Sequence, residues 1–184
     1  MMMKKLFLFL SINLSLLSFA TENLVLQSIV KFDGTSTLHD FTGMATSKVS
    51  KVLWTPTQEG GQLSASGITF DVEKFTTDHT KRDQNMMKMF NPVKFPVILG
   101  SFKDWDLGGK SSEKEILRVT IQGNEIEVPV TISDYRVDEK GIHFTSHFTL
   151  SLQSFGLKRP AALVFIRVGD EINVTVHTHL SNSK

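Results

Sequence analysis

The chain has 184 residues and no cysteine, with 20 Lys and Arg against 19 Asp and Glu and a formal charge of +1. Near-neutrality without a basic block argues against nucleic acid as a partner, and the lack of cysteine excludes disulfide staples and a lipoprotein anchor. A chain of this size suits one domain that buries roughly 70% of its unfolded surface, so its core alone must hold it together.

The first residues do not read as part of a fold. "MMMKK" is a basic leader, "LFLFLSINLSLLSF" is an apolar run, and Ser18 and Ala20 are the small residues a signal peptidase requires. The run is shorter than the roughly 20 apolar residues of a membrane span and fits an export signal cut after Ala20. The expected organisation is a signal peptide over 1–20 and a single domain over 21–184, outside the cytoplasm and with no integral membrane span. Loss of Lys4 and Lys5 with the leader turns the formal charge from +1 to −1.

Strand-like alternation dominates the remainder. Strands are expected at 27–33 and 41–54, then in "SGITFDVEK", where Ile68, Phe70 and Val72 alternate with polar residues. A helix follows in "TTDHTKRDQNMMKMFNP". Thr77 or Asp78 is its expected cap, Thr80 and Asp83 have capping-box spacing, and Asn91-Pro92 ends it. Met86, Met89 and Phe90 share one face at i, i+3, i+4. Met87 falls outside that face and needs another apolar neighbour, which a bound ligand would supply.

A strand at 97–105 leads to a turn at 108–115. In "EILRVTIQGNEIEVPVTI" two alternating runs flank Gly123-Asn124, a hairpin signal because both residues tolerate positive φ. Pro129 lacks a backbone donor and belongs at an edge or bulge. "GIHFTSHFTLSL" sends Ile142, Phe144, Ser146, Phe148, Leu150 and Leu152 to one face, and "INVTVHTHL" does the same with Ile172, Val174, Val176 and Leu180. A short helix or turn is expected at 159–165. Seven or eight strands, each with one apolar face, must curl around that face, so the fold class is all-β, a barrel or sandwich.

Four histidines on the polar face, His143, His147, His177 and His179, could cluster as a metal site if their strands pair. That face carries Thr, Ser and Asn with no evident carboxylate companion, and solvated surface histidines are the better reading. Hydrolytic motifs are absent, and His39-Asp40 and Asp78-His79, as sequence neighbours, point to opposite faces. Arg82 and Asp83 fit either a surface pair anchoring the helix to the barrel rim or a polar clamp on a ligand head. Methionine suits surfaces that accommodate varied ligands, yet Met86, Met87, Met89 and Phe90 equally suit a helix plugging one barrel end. The eleven phenylalanines after Ala20 can fill a barrel or line one holding a slender ligand.

The stretch "TTDHTKRDQNMMKMFNPVKFPVI" resembles the most distinctive part of the YceI-like family, with Thr77, Arg82, Asp83, Met86, Phe90, Phe95 and Pro96 in the matching places. "DGTSTLHDFTG" and "SLQSFGLKRPAALVFIRVGDEINVTV" are similar to that family's first hairpin and closing strands, so the resemblance spans about 27–180. Asn85 stands where many members carry His. The resemblance implies a lipocalin-like antiparallel eight-stranded β-barrel with one or two short helices. It also implies export to the periplasm and binding of a long apolar chain such as a polyisoprenoid, a quinone tail or a fatty amide. No cofactor, metal or catalytic residue is expected. The ligand-binding residues expected on this reading are Phe32, Phe70, Thr77, Arg82, Asp83, Met86, Met89, Phe90, Phe144, Phe148 and Val176. The alternatives are a filled, stress-related barrel and a metal function through the surface histidines, and a homodimer is left open.

Overall fold

Period-2 alternation gives each strand one apolar face, and a sheet with one such face buries it most completely by closing on itself. The computed structural model describes residues 20–48, 50–108, 114–159, 161–162 and 166–182. The leader before Ala20, most of the 108–115 turn and part of the 159–165 segment lie outside the described residues. In chain order the strands are β1 (Glu22–Ser36), β2 (Phe41–Thr46), β3 (Ser50–Pro56), β4 (Gly61–Asp71), β5 (Val97–Leu107), β6 (Glu115–Ile121), β7 (Asn124–Asp138), β8 (Gly141–Ser151), β9 (Ala161–Ala162) and β10 (Ile166–Asn182). Among the described residues a single α-helix, α1 (Thr80–Phe90), follows a 3-10 turn at Val72–Lys74.

Eight strands close an antiparallel barrel in the order β1-β3-β4-β5-β6-β7-β8-β10, and β10 pairs back onto β1. The long β1 is shared: Glu22–Leu26 pairs with β3 and Ile29–Gly34 pairs with β2. β7 is shared likewise. Its first half pairs with β6 and the half from Thr131 onward with β8. Pro129 sits just before that handover, where β7 has a partner on one side only, as expected for a residue without an N–H.

Several local expectations are corrected. The strand expected over 41–54 breaks into β2 and β3 because Ser47 turns inward, its hydroxyl accepting from Ser28 N at 2.8 Å while its own N–H donates to Ser28 O at 2.8 Å. The β6–β7 turn is one residue earlier than expected. Gln122 (φ 52°) and Gly123 (φ 81°) take the positive angles, since Ile121 already pairs with Asn124. Within 159–165, Ala161–Ala162 is strand paired with Ile166 and Arg167 rather than helix. The cap of α1 is His79, not Thr77 or Asp78: its Nδ1 accepts from Arg82 N at 3.4 Å.

One end of the barrel is packed shut by Leu63, Leu107, Val130 and Leu180, all fully buried, with Leu24, Trp54 and Trp105 beside them. Burying each such side chain contributes about 1.5–3 kcal/mol. The other end is crossed by α1, which is pinned at both ends. At its start the Asp83 carboxylate accepts from Thr77 N at 2.8 Å, from the Thr77 hydroxyl and from the Thr76 hydroxyl at 3.0 Å. At its finish Gln122 Nε2 donates to Met89 O at 2.8 Å, and Asn91 takes the left-handed conformation (φ 50°) that ends the helix.

Partial burial by itself would raise the Asp83 pKa, but the hydrogen bonds from Thr77 and Thr76 and the nearby Arg82 charge outweigh it, so the pKa falls below its ordinary value. A carboxylate with a depressed folded pKa stabilises above the unfolded value and loses that contribution as pH falls through the folded one. Asp83→Ala should therefore lower stability by about 2 kcal/mol at pH 7. In denaturant titrations the gap to the parent should stay constant at neutral pH and narrow only below about pH 4; a gap that persists undiminished at pH 2 would show that the carboxylate charge is not what anchors α1. Gly43 is a second pinch point, because a Cβ there would strike the Phe32 ring and lie 2.7 Å from Thr76 O. Gly43→Val should cost about 2–3 kcal/mol, read as a lowered thermal midpoint.

Candidate functional site

The inward faces of the strands do not meet across the barrel. They enclose a cavity of about 580 Å³ lined from β1, β4, β5, β6, β8, β10 and α1, well within the ~300–1,000 Å³ of small-molecule sites. The lining runs along β1 from Leu26 to Ser36. At ~3.3 Å per residue and a strand tilt of ~40° this is roughly 25 Å along the barrel axis. The interior is an elongated apolar tunnel rather than the filled barrel that the phenylalanine count left open.

Ten of the eleven residues singled out from the sequence surround this cavity. Phe32, Phe70, Phe144, Phe148 and Val176 line its wall, and Thr77, Arg82, Met86, Met89 and Phe90 its mouth. Phe32 and Phe144 are buried within the wall, whereas Phe70, Phe148 and Val176 are only partly covered. Asp83 is the exception. Its carboxylate turns back to Thr76 and Thr77, so it positions α1 and does not line the cavity. Met87 is also corrected: it packs against the core without reaching the tunnel, and needs no ligand to cover it.

α1 joins the wall through a run of rings, Phe32 to Phe75 at 5.9 Å and Phe75 to Phe90 at 6.1 Å between centroids. Such tilted pairs add about 0.5–1.5 kcal/mol each beyond area burial. At the deep end Phe102 stacks on Trp105 at 3.9 Å, and Trp105 Nε1 donates to Ile116 O at 2.8 Å, which fixes the ring as part of the floor. The mouth is polar on one side: His39, His79, Lys81, Arg82 and Asn85 line it beside Leu38 and Phe41. The Arg82 guanidinium lies 5.1 Å from the Phe41 ring centroid, a cation–π contact that holds it at the rim. Among the described residues no carboxylate lines the cavity, so the mouth suits a neutral or anionic head group and disfavours a cation.

The sequence reading missed the Leu38–Phe41 side of the mouth and the inward hydroxyls of Ser28 and Thr178, and it placed Ser146 on the inward face without giving it a role. The loop carries no periodic signal. The hydroxyls do carry one, because each interrupts an apolar alternation.

The four histidines lie on the outer surface and do not form one cluster. His143 stacks on His179 with centroids 4.5 Å apart, while His147 meets Ser133 and Thr175, and His177 meets Thr145. Their expected lack of carboxylates is overturned, because β7 supplies Asp138, 3.2 Å from His143 Nε2, and Asp134, whose bulge places it beside His147 and His177. The depressed Asp134 pKa arises first from the Ser133 hydroxyl and then from Thr145, with the two imidazoles contributing less. Among the described residues no group of three or more His, Cys, Asp or Glu could hold a metal ion.

Comparison with known proteins places this barrel. A family model described as YceI-like domain matches residues 15–180. Burkholderia cenocepacia BcnA superposes with a TM-score of 0.59 at 13% identity, covering 84% of this chain and 96% of that one. A polyisoprenoid binding domain from Saccharophagus degradans, implicated in plant cell wall breakdown, gives 0.51 at 11% identity over 89% and 100% of the two chains. The Campylobacter jejuni YceI protein gives 0.50 at 18% over 72% and 80%. At these identities the superpositions speak for a shared fold. The curated proteins yield no match. With the family model spanning nearly the whole sequence and the same eight-stranded barrel beneath it, the chain belongs to the YceI-like family.

Proposed function

We propose that the protein is a periplasmic carrier that holds one long apolar lipid, of polyisoprenoid or similar chain chemistry, inside its barrel. The observation that carries this reading is the tunnel itself: roughly 25 Å of aromatic and aliphatic wall, closed at one end and open beneath α1. Such a length suits a single extended hydrocarbon chain of roughly sixteen carbons or more, at about 1.25 Å per methylene. The fold shared with a polyisoprenoid binding domain supports the same ligand class. The export signal read over residues 1–20 supports the compartment. Among the described residues no helix is long and apolar enough to cross a membrane.

Affinity on this reading comes from desolvation, at about 0.8 kcal/mol per buried methylene, and ordering terms hold the net well below the sum. Specificity follows from length and girth, and the charged rim at Lys81 and Arg82 faces whatever part of the ligand remains outside the tunnel.

Narrowing the tunnel tests the proposal. Phe148→Trp combined with Val176→Phe adds bulk at two partly covered wall positions. The doubly substituted protein should keep its thermal midpoint within a few degrees and lose at least tenfold in affinity for a C20 polyprenyl alcohol (about 1.4 kcal/mol). Native mass spectrometry of parent protein purified from a periplasm should show an adduct of lipid mass. A folded double variant that binds as tightly as the parent would sink the tunnel reading.

A further inference from the structure

We infer that the deep wall of the cavity contains a polar subsite, formed by Ser28, Ser146 and Thr178, that binds an uncharged hydrogen-bonding group near the inserted end of the ligand. The inference rests on the carrier reading and narrows its ligand: the chain is not a plain hydrocarbon at its deep end.

Three neighbouring strands each break their inward apolar series once. In β1 the series is Leu26, Ser28, Val30, Phe32; in β8 it is Phe144, Ser146, Phe148; in β10 it is Val174, Val176, Thr178, Leu180. The breaks fall together. Ser28 is directly opposite Thr178, and Ser146 faces Val176, the inward neighbour of Thr178. All three side chains line the cavity, and they are 2%, 3% and 6% exposed for Ser28, Ser146 and Thr178. A hydroxyl removed from water into an apolar wall costs about 1–3 kcal/mol unless it finds a partner.

The partners on hand do not use the full capacity of the patch. Ser28 Oγ and Thr178 Oγ1 are 2.9 Å apart, so one donates to the other and the second hydroxyl hydrogen stays available. Among the described residues no protein group hydrogen-bonds the Ser146 side chain. The patch is also rigidly placed, because Ser28 exchanges hydrogen bonds with Ser47 through both its N–H and its C=O. Position decides which end of the ligand it reads. Leu26 is the next inward residue beyond Ser28 and marks the deep limit of the lining on β1, while Leu180 opposite it and Leu24 beyond it do not line the cavity.

Charge decides the chemistry. Lys81 and Arg82 lie at the mouth, and among the described residues no ionisable side chain lines the deep wall. An ion placed there would have no counter-charge against its desolvation. A hydroxyl, carbonyl or amide matches the spare donors and acceptors without that penalty.

The test uses the full processed chain and three probes of equal length, hexadecane, hexadecan-1-ol and hexadecanamide, each displacing a fluorescent apolar dye. The parent should bind the alcohol and amide about tenfold more tightly than the alkane. Ser28→Ala with Ser146→Ala and Thr178→Val should erase that preference to within about twofold while alkane affinity holds or rises. Ser146→Ala alone breaks no protein hydrogen bond, so it reports even where the triple variant fails to fold, and should reduce the preference two- to fourfold. Equal binding of all three probes by the parent would overturn the subsite while leaving the carrier reading intact. A preference retained by folded variants, or one abolished instead by Arg82→Leu, would place the polar group at the mouth and overturn it as well. Failure of the parent to bind any probe would end both readings.

Discussion

The return of β10 onto β1 is the constraint on which the rest depends. Its register, from Leu24 opposite Asn182 to Gly34 opposite Ile172, converts an open sheet into a barrel and chooses the inward set at the same time. Ser28 meets Thr178, Val30 meets Val176 and Phe32 meets Val174, and all six residues line the cavity, while Leu26 meets the fully buried Leu180 at its closed end. Because side chains alternate with a period of two, a slip of one residue would send this whole set to solvent and the histidine face inward. On the neighbouring β8–β10 ladder, exterior polar pairs such as Thr149 with Asn173 at 2.9 Å depend on register in the same way.

Closure alone makes a container; the two ends give it direction. At the deep end bulky residues interlock, with the tryptophan of β5 stacked and hydrogen-bonded in place. At the mouth a short helix replaces close packing. An eleven-residue helix is too short to be stable by itself, so it depends on being fastened to the barrel. The Asp83 carboxylate and the Gln122 amide do this from opposite ends, leaving the methionine-bearing face over the opening. Flexible thioether side chains on a pinned backbone can adjust to a varying ligand without moving the lid. This is the physical answer to why methionine is concentrated beside a charged helix start.

The outer histidines show the limit of face assignment from alternation. Their side of the strands was legible, but the carboxylates beside them come from β7, where a bulge and the positive φ of Asp134 (55°) re-aim a residue that strict alternation would place elsewhere. The same kind of local departure misplaced the β6–β7 turn by one residue and joined β2 to β3. At Ser47 the deciding partner, Ser28, is 19 residues away, and no local propensity records that.

Taken alone, the sequence determined the all-β class, the inward and outward face of most strands, the helix at 80–90 and its apolar stripe. These are consequences of short-range periodicity, which survives in a linear string. It also marked ten residues that the fold gathers around one cavity. What it could not determine was whether those side chains would meet or leave a tunnel, that Asp83 would turn away from it, or that Ser28, Ser146 and Thr178 would become neighbours. Ser28 and Thr178 are 150 residues apart, and only the hydrogen-bonded closure of the barrel brings such positions to one wall, because volume and adjacency are properties of the assembled sheet and not of any strand within it.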